Sequence, residues 1–430
     1  MVGSITKGGA PAAARVSALA PFRIRAFRYQ WPADLATSWA FEMELIILGW
    51  YVLVETQSVL LLTLFASLQH LGTLVSPFFG VMGDRFGHRN VLCAMRGFYA
   101  LLAATLMTLT FTGLVTPAYV LVIAGLLGLV RPSDIGMRVA LVGDTLPAAQ
   151  LVGAMGIQRT TQDSARVAGA LTGAGLVAAL GMGWAYVVVT ALYSTSVLLT
   201  LRAGSARRAA GARAATPPAA AAPSLWRDLK EGMAYVWRTP HLLAMMCLAF
   251  LLNGTAFPQQ NGLMPYVAKE VYLTDQTGLG YLVAGLSSGA LFASIIMSRQ
   301  GGSATPGRTM VLASAAWYVF LLLFAHAPHY LAGIAILFLA GCSQSVGQVP
   351  MAAMLLRTTE EQFRGRVQGI RMLMIYSNVP GLLLAGELIP RIGYRATVML
   401  YCATGLVGIA FVMLKWGAHL WSRDAPVNVR

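Results

Sequence analysis

Three carboxylates, Asp34, Glu42 and Glu44, fall inside one long apolar stretch, and the run Arg131-Pro132-Ser133-Asp134 interrupts another. A charge at the centre of a bilayer costs about 2.5–3.5 kcal/mol even on a lenient scale, so each such group needs a partner or a task. The natural task for a mid-membrane acid is to take up and release a proton. At about 100° per residue, Glu42 and Glu44 stand about 200° apart and cannot both face one cavity without distortion of the helix. Thr37, Glu44 and Glu55 lie within about 20° of one line, with Tyr51 near it, so Glu44 is the first choice for the proton carrier. Glu42 reads equally as a paired or neutral buried acid. Asp34 sits near the end of the stretch, where water would reach it, as a helix-end charge or a functional one.

Arg131 and Asp134, three residues apart, can share a helix face and pair with each other. Arg131 also comes to a depth similar to that of Glu42 and Glu44. An arginine beside a carboxylate favours its charged form, whereas a substrate that separates or dries the pair favours the neutral form. Pro132 would loosen the backbone between them. These five residues, Asp34, Glu42, Glu44, Arg131 and Asp134, form the expected proton-coupling set.

A second constellation is uncharged. Asn253, Gln259 and Gln260 surround Pro258, Gln344 and Gln348 share a later apolar run, and Tyr376 and Asn378 a third. With Trp39, Phe41 and Tyr51 they could line an amphipathic cavity that takes aromatic or cationic compounds by stacking and cation–π contact. His70, beside Gln69, would join this lining and either titrate or stay a hydrogen-bonded neutral imidazole. The alternative for each of these helices is hydrogen bonding between helices.

The elements that must position these groups are membrane helices. Of 430 residues 57% are hydrophobic and 11% charged, and mean hydropathy is +0.66, whereas soluble domains carry about 25% charged residues. There is room for about twelve spans of about 20 residues. We place them near 31–56, 58–82, 91–113, 116–141, 165–180, 184–201, 241–262, 277–298, 309–327, 330–352, 367–389 and 396–416. The Ala/Arg/Gly/Pro-rich stretch Ala203–Pro223 divides the chain, followed by an amphipathic segment from Ser224 to Trp237. The expected organisation is a tail over 1–30, a first half over 31–202, a linker with an interfacial helix over 203–240, a second half over 241–416 and a tail over 417–430.

The net charge of +15 is spread over loops on one side of this topology, and the other side holds only Lys269, Arg391 and Arg395. By the positive-inside rule both tails and the linker are cytoplasmic. Scattered loop charge argues for orientation and against nucleic acid. Four cysteines without metal-like spacing, dispersed histidines and no phosphate-binding loop argue against a metal centre, a cofactor, an enzyme or an ATP-driven engine.

Between the second and third spans stands Gly80-Val-Met-Gly-Asp84-Arg85-Phe-Gly87-His88-Arg89-Asn-Val-Leu92. The glycines allow a tight turn where a side chain would collide, and the charges can pair with helix ends that shift between states. This pattern resembles the loop between helices 2 and 3 of major facilitator superfamily transporters, with His88 in place of a more usual basic residue. The resemblance implies an all-α membrane protein of twelve helices in two six-helix halves, with Gly80, Asp84, Arg85, Gly87 and Arg89 as a conformational latch. Arg131 loosely resembles the arginine that many proton-coupled members carry in helix 4. A shift of 212 residues superposes Gln150 on Gln362, Gly153 on Gly365 and Gly169 on Gly381, as two duplicated halves would.

Gly156-Ile-Gln-Arg-Thr-Thr, Ala165-Arg166-Val-Ala-Gly169 and Phe363-Arg364-Gly365-Arg366-Val367 are similar to loops of the enterobactin-exporter and macrolide-efflux branch. That similarity implies proton-driven export of a small organic molecule by a monomer of the inner or plasma membrane. A uniporter or importer of a polar metabolite is the rival within transport, and a non-transporting receptor the rival outside it. A cysteine placed within Ala203–Pro223 should react with impermeant reagent only from the cytoplasmic side; reaction from outside would invert the topology.

Overall fold

The computed structural model describes residues 20–73, 75–203, 225–299, 305–360 and 363–421; residues 204–224 of the expected linker, and 1–19 and 422–430 of the expected tails, lie outside them. The first half contains α1 (Arg25–Thr56), α2 (Val59–Leu68), α3 (Ser76–Phe86), α4 (His88–Phe111), α5 (Pro117–Thr145), α6 (Ala148–Leu180) and α7 (Met182–Arg202). After α8 (Leu225–Arg238) the second half contains α9 (Pro240–Thr255), α10 (Phe257–Asn261), α11 (Met264–Tyr266), α12 (Gln276–Arg299), α13 (Pro306–Ala325), α14 (Tyr330–Thr358), α15 (Arg364–Ile375), α16 (Asn378–Ile392) and α17 (Tyr394–Trp421). Ten helical spans are long and apolar enough to cross a membrane. The remaining two passes, α2 with α3 and α6, fall short of that standard because one is broken and the other carries Arg159, Asp163 and Arg166 in its first half.

Local chemistry sets the ends of several elements. Ser58 caps α2 by accepting from the Leu61 amide at 3.3 Å, and Thr116 caps α5 through the Tyr119 amide at 3.4 Å. Gly87 joins α3 to α4 at φ +86°, where an L side chain would be strained. Gly80, in contrast, has open space where a Cβ would stand, so the expected collision there does not arise.

Several boundaries differ from the sequence expectation, beginning with the first pass, which starts at Arg25 and not at 31. The fifth pass starts at Ala148 and not at 165, because its Ala-rich first half keeps good helix propensity and its charges find partners within the bundle. The second pass is interrupted between Leu68 and Ser76, and the eleventh at Tyr376 and Ser377. Pro132 leaves α5 continuous. The seventh pass breaks near Pro258 and Gly262 and ends in a π turn, Val267–Val271.

The duplicated glycines do the same work in both halves. A Cβ on Gly169 would stand 2.6 Å from the Glu42 Cβ of α1, and one on Gly381 would stand 3.0 Å from Pro258 and overlap the Gly254 carbonyl. Passes 5 and 11 therefore approach passes 1 and 7 with their backbones nearly touching.

Opposite faces of the same helices join the halves. Ala170 and Ala174 of α6 pack on Gly280 of α12, Ala66 of α2 lies against Gly262, and Thr63 and Leu60 lie against Gly386 of α16. Lys269 donates to Gln57 Oε1 at 2.5 Å. All these contacts lie toward the face that carries Gln57 and Gly181, here called the far face; the near face carries Gly87. The amphipathic α8 runs along the near end of the second half, where Tyr235 stacks on Phe363 at 4.2 Å and Glu231 pairs with Arg366 at 3.0 Å. Its Val236 is buried while Met233 and Trp237 are exposed.

The kink in pass 2 is clamped to α5. A Cβ on Gly128 would overlap the Leu68 carbonyl, and one on Gly72 the Leu129 carbonyl. Gly128→Ala should lower stability by about 1–3 kcal/mol. Gly97→Ala, where nothing lies within 4 Å, should be neutral or stabilising. Thermal unfolding in detergent reads both, and equal midpoints would refute the clamp.

Candidate functional site

Four ionisable groups on three helices meet inside the first half. Asp34 of α1 pairs with Arg96 of α4, and its Oδ1 lies 3.8 Å from Arg138 Nε of α5. Arg138 pairs with Asp134 at 2.5 Å, one turn earlier on its own helix. Gln158 of α6 donates to Asp34 Oδ2 at 3.3 Å, and Arg138 Nη1 donates to Ser38 Oγ at 2.7 Å. Arg96 also donates to Thr200 of α7. All four ionisable residues are at least nine-tenths buried, and two acids balance two bases. Asp34 is therefore not a water-reached helix end, and Asp134 takes Arg138 and not Arg131 as its partner.

Further along α1 the arrangement changes. Glu44, 2% exposed, accepts from the Tyr193 hydroxyl at 3.0 Å through Oε2. Its Oε1 makes no hydrogen bond, with Tyr186 close by. Arg131 faces Glu44 from α5, packs on the Phe41 ring and donates through Nη1 to Gln69 Oε1 at 2.8 Å. Its Nε and Nη2 make no hydrogen bond. Glu42 points to α6, where Arg166 Nε lies 3.4 Å from Oε1. That pairing follows from Gly169, one turn after Arg166, which lets α6 run against α1.

These side chains surround an open cleft of about 130 Å³, lined by Phe41, Glu42, Glu44, Arg131, Asp134, Arg138, Arg166, Tyr99 and Tyr193 among others. Glu42 and Glu44 both line it although α1 is an undistorted helix. The cleft wraps around about 160° of the central α1, between α5 on one side and α6 on the other, so two opposed positions share one space. The cleft's volume is smaller than the about 300–1,000 Å³ usual for pockets that enclose a small organic ligand, so in this state it has room for only part of one.

Of the cavity residues expected from sequence, Phe41 lines this cleft. Trp39 donates to Thr172 Oγ1 at 2.8 Å and Tyr51 to the Val115 carbonyl at 3.2 Å. His70 contacts Ala66 O through Nδ1 and Asn378 Nδ2 through Nε2, both at 3.2 Å. Asn253 donates to Ala249 O at 2.8 Å and Gln259 to Thr255 O at 3.1 Å, while Gln260 and Gln344 are buried and Gln348 and Tyr376 half-buried. Sequence reasoning missed Arg96, Arg138 and Arg166 as site residues. The signal was available: Arg96 and Arg138 interrupt apolar runs as plainly as the acids do, and a search for buried bases beside buried acids would have found them.

At the near face, Arg89 donates to the Thr200 and Leu201 carbonyls at 3.3 and 2.5 Å, capping the C-terminus of α7. His88 Nδ1 lies 2.7 Å from Asp144 Oδ2 at the end of α5. Arg85 is exposed, and the surroundings of the Asp84 side chain lie outside what the structure describes.

Removing one member of the inner quartet strands a buried charge. Arg96→Ala should destabilise the protein by about 3–5 kcal/mol, and Arg96→Ala with Asp34→Ala should recover part of that loss. Unfolding midpoints of single and double variants test this; equal loss in both would mean that the pair carries no electrostatic dependence.

The model of the Major Facilitator Superfamily matches residues 35–379. Among curated proteins the chain is 27% identical over 233 residues to the uncharacterized MFS-type transporter YuxJ of Bacillus subtilis, covering 53% of this chain and 54% of that one. It is 29% identical over 194 residues to the multidrug efflux pump Tap of Mycolicibacterium fortuitum, covering 43% and 45%. The chain thus spans about half the length of these curated relatives. Among solved structures, the nucleoside transporter NupG superposes with a TM-score of 0.68 at 13% identity, covering 90% of this chain and 98% of NupG. The human organic anion transporter MFSD10 superposes at 0.62 and 15%, covering 91% and 99%. Twelve helical passes in two packed halves and a family match over most of its length make this chain a member of the Major Facilitator Superfamily.

Proposed function

We propose that the protein exports small amphipathic organic molecules from the cytoplasm in exchange for protons, acting as a monomer in the inner or plasma membrane. The observation that carries this reading is Glu44, a buried carboxylate facing the buried Arg131 in a central cleft. The similarity to a relative named as a multidrug efflux pump supports the direction.

On this reading the near face is cytoplasmic, as the positive-inside distribution of Lys and Arg indicates, and the closed far-face contacts correspond to a cleft reached from the cytoplasm. A cationic ligand held on Phe41 beside Glu44 favours the ionised carboxylate and expels its proton. Once the ligand leaves, drying of the cleft and separation from Arg131 favour the neutral carboxyl, so ligand and proton occupy the pair in turn. Asp34, Asp134 and Glu42 already hold close bases, and their task is to keep α1, α5 and α6 in register around Glu44. The polar side chains Asn253, Gln259, Gln260, Gln344, Gln348 and Tyr376 are the second half's contribution when the halves rock. The turn at Gly87, with Arg89 on the end of α7 and His88 on Asp144, is the latch whose contacts must exchange as the near face closes.

In liposomes with an imposed pH gradient, lipophilic cations, macrolides or siderophores should release protons through the wild type, and Glu44→Gln should bind the same compound without moving protons. Substrate flux that is equal without a gradient and indifferent to Glu44 would replace this reading with uniport.

A further inference from the structure

Two of the interrupted passes, 2 and 11, meet at one point between the halves. Pass 2 leaves the α-helical pattern after Leu68 and pass 11 at Tyr376 and Ser377, and His70, two residues past the end of α2, contacts Asn378, the first residue of α16. His70 Nδ1 lies 3.2 Å from the Ala66 carbonyl, which only an N–H can satisfy, so that nitrogen carries the proton. Nε2 is then a bare acceptor for the Asn378 amide at 3.2 Å. Asn378 is 1% exposed, and its Oδ1 makes no hydrogen bond. A single specific bond thus joins the two interruptions, beside the contact of Ala66 with Gly262 of the seventh pass.

The neighbouring residue looks the other way. Gln69 Oε1 accepts from Arg131 Nη1 at 2.8 Å, and this is the hydrogen bond that Arg131 makes within the cleft wall. Gln69 and His70 cannot move independently, because the kink that holds them is clamped on α5 by the backbone contacts at Gly72 and Gly128, three residues from Arg131. A shift of the Arg131 side chain is therefore felt by Gln69, and through a shared backbone by His70.

We infer that Gln69 and His70 are positioning residues that tie the state of Arg131 in the first-half cleft to the closure of the far face through Asn378 of the second half. The inference rests on the reading of Arg131 and Glu44 given above for its purpose, but its geometry stands without it. Coupling then runs over two adjacent residues and one inter-half bond. Breaking either end has the same effect as breaking both.

The test uses the full-length protein with its cysteines replaced and spin labels at Leu114 and Leu331, exposed positions near the far face in the first and second halves. Distance distributions give the ratio of closed to open far face. A lost buried hydrogen bond is worth about tenfold in that ratio. Arg131→Gln and His70→Ala should each lower it by about tenfold, and the double variant by about the same tenfold. The exchanged pair, His70→Asn with Asn378→His, should restore the wild-type ratio and show that His70→Ala is not merely misfolded. A double variant lowered about a hundredfold, each change acting alone, would overturn the inference, as would single variants without effect. If the non-additivity appears while proton flux in liposomes ignores Glu44, the relay stands and the proton-exchange reading falls.

Discussion

Everything in the first half is arranged around the cost of holding charge away from water. Eight ionisable side chains, Asp34, Glu42, Glu44, Asp134, Arg96, Arg131, Arg138 and Arg166, stand in or beside one cleft. Such groups persist only with partners, and apart from Asp134 and Arg138 on α5 the paired ones find theirs on other helices. Asp34 binds α4 and α5, and Glu42 binds α6. The electrostatic requirement therefore also specifies which helices are neighbours. Glu44 and Arg131 differ from the rest in making no ion pair within 4 Å among the described residues, whereas the other six are paired.

Small residues make this arrangement possible. In a bilayer, apolar side chains gain little by leaving lipid, so helices are held by close contact and by hydrogen bonds. Gly169 brings α6 onto α1 at Glu42, and Gly128 and Gly72 bring the pass 2 kink onto α5 near Arg131. The glycine and alanine positions of α6 serve two neighbours at once, α1 through Gly169 and Gly173 and α12 through Ala170 and Ala174. A helix packed on both sides in this way transmits displacement from one half to the other. The halves share a duplicated plan, yet buried charge concentrates in the first, while the second contributes amides and hydroxyls. The polar half can rearrange its hydrogen bonds at lower cost than the charged half, which is suited to remain the rigid reference.

The membrane class, the helical passes and the family were legible because bilayer thickness imposes length and apolarity on every span, a constraint that acts on each segment alone. The turn at Gly87 was legible for a similar local reason. Glu44 stood out because an acid in an apolar run is costly wherever the helix faces. Boundaries were less legible where they depended on neighbours: the charged part of α6 looks like a loop until Asp34 and Glu42 are seen to receive its side chains and Trp31 to donate to its Thr161. The kinks after Leu68 and at Tyr376 likewise have no strong breaker at the point of interruption, and they form where two passes press on each other.

Pairing could not be read from spacing. Arg131 and Asp134 have the separation of an ion pair, yet Asp134 takes Arg138, and Arg131 turns to Gln69 and the cleft. Helical periodicity states which residues share a side of one helix, whereas a partner is chosen by the distance and direction between different helices. For the same reason Glu42 and Glu44, opposed on α1, open onto one space that wraps the helix. The sequence by itself determined that charges lie within the membrane and on which passes, since transfer cost is a property of each residue. Only the tertiary structure decided which charges neutralise each other and which pair is left able to change, because Coulomb energy at low dielectric depends on ångström separations that no single segment contains.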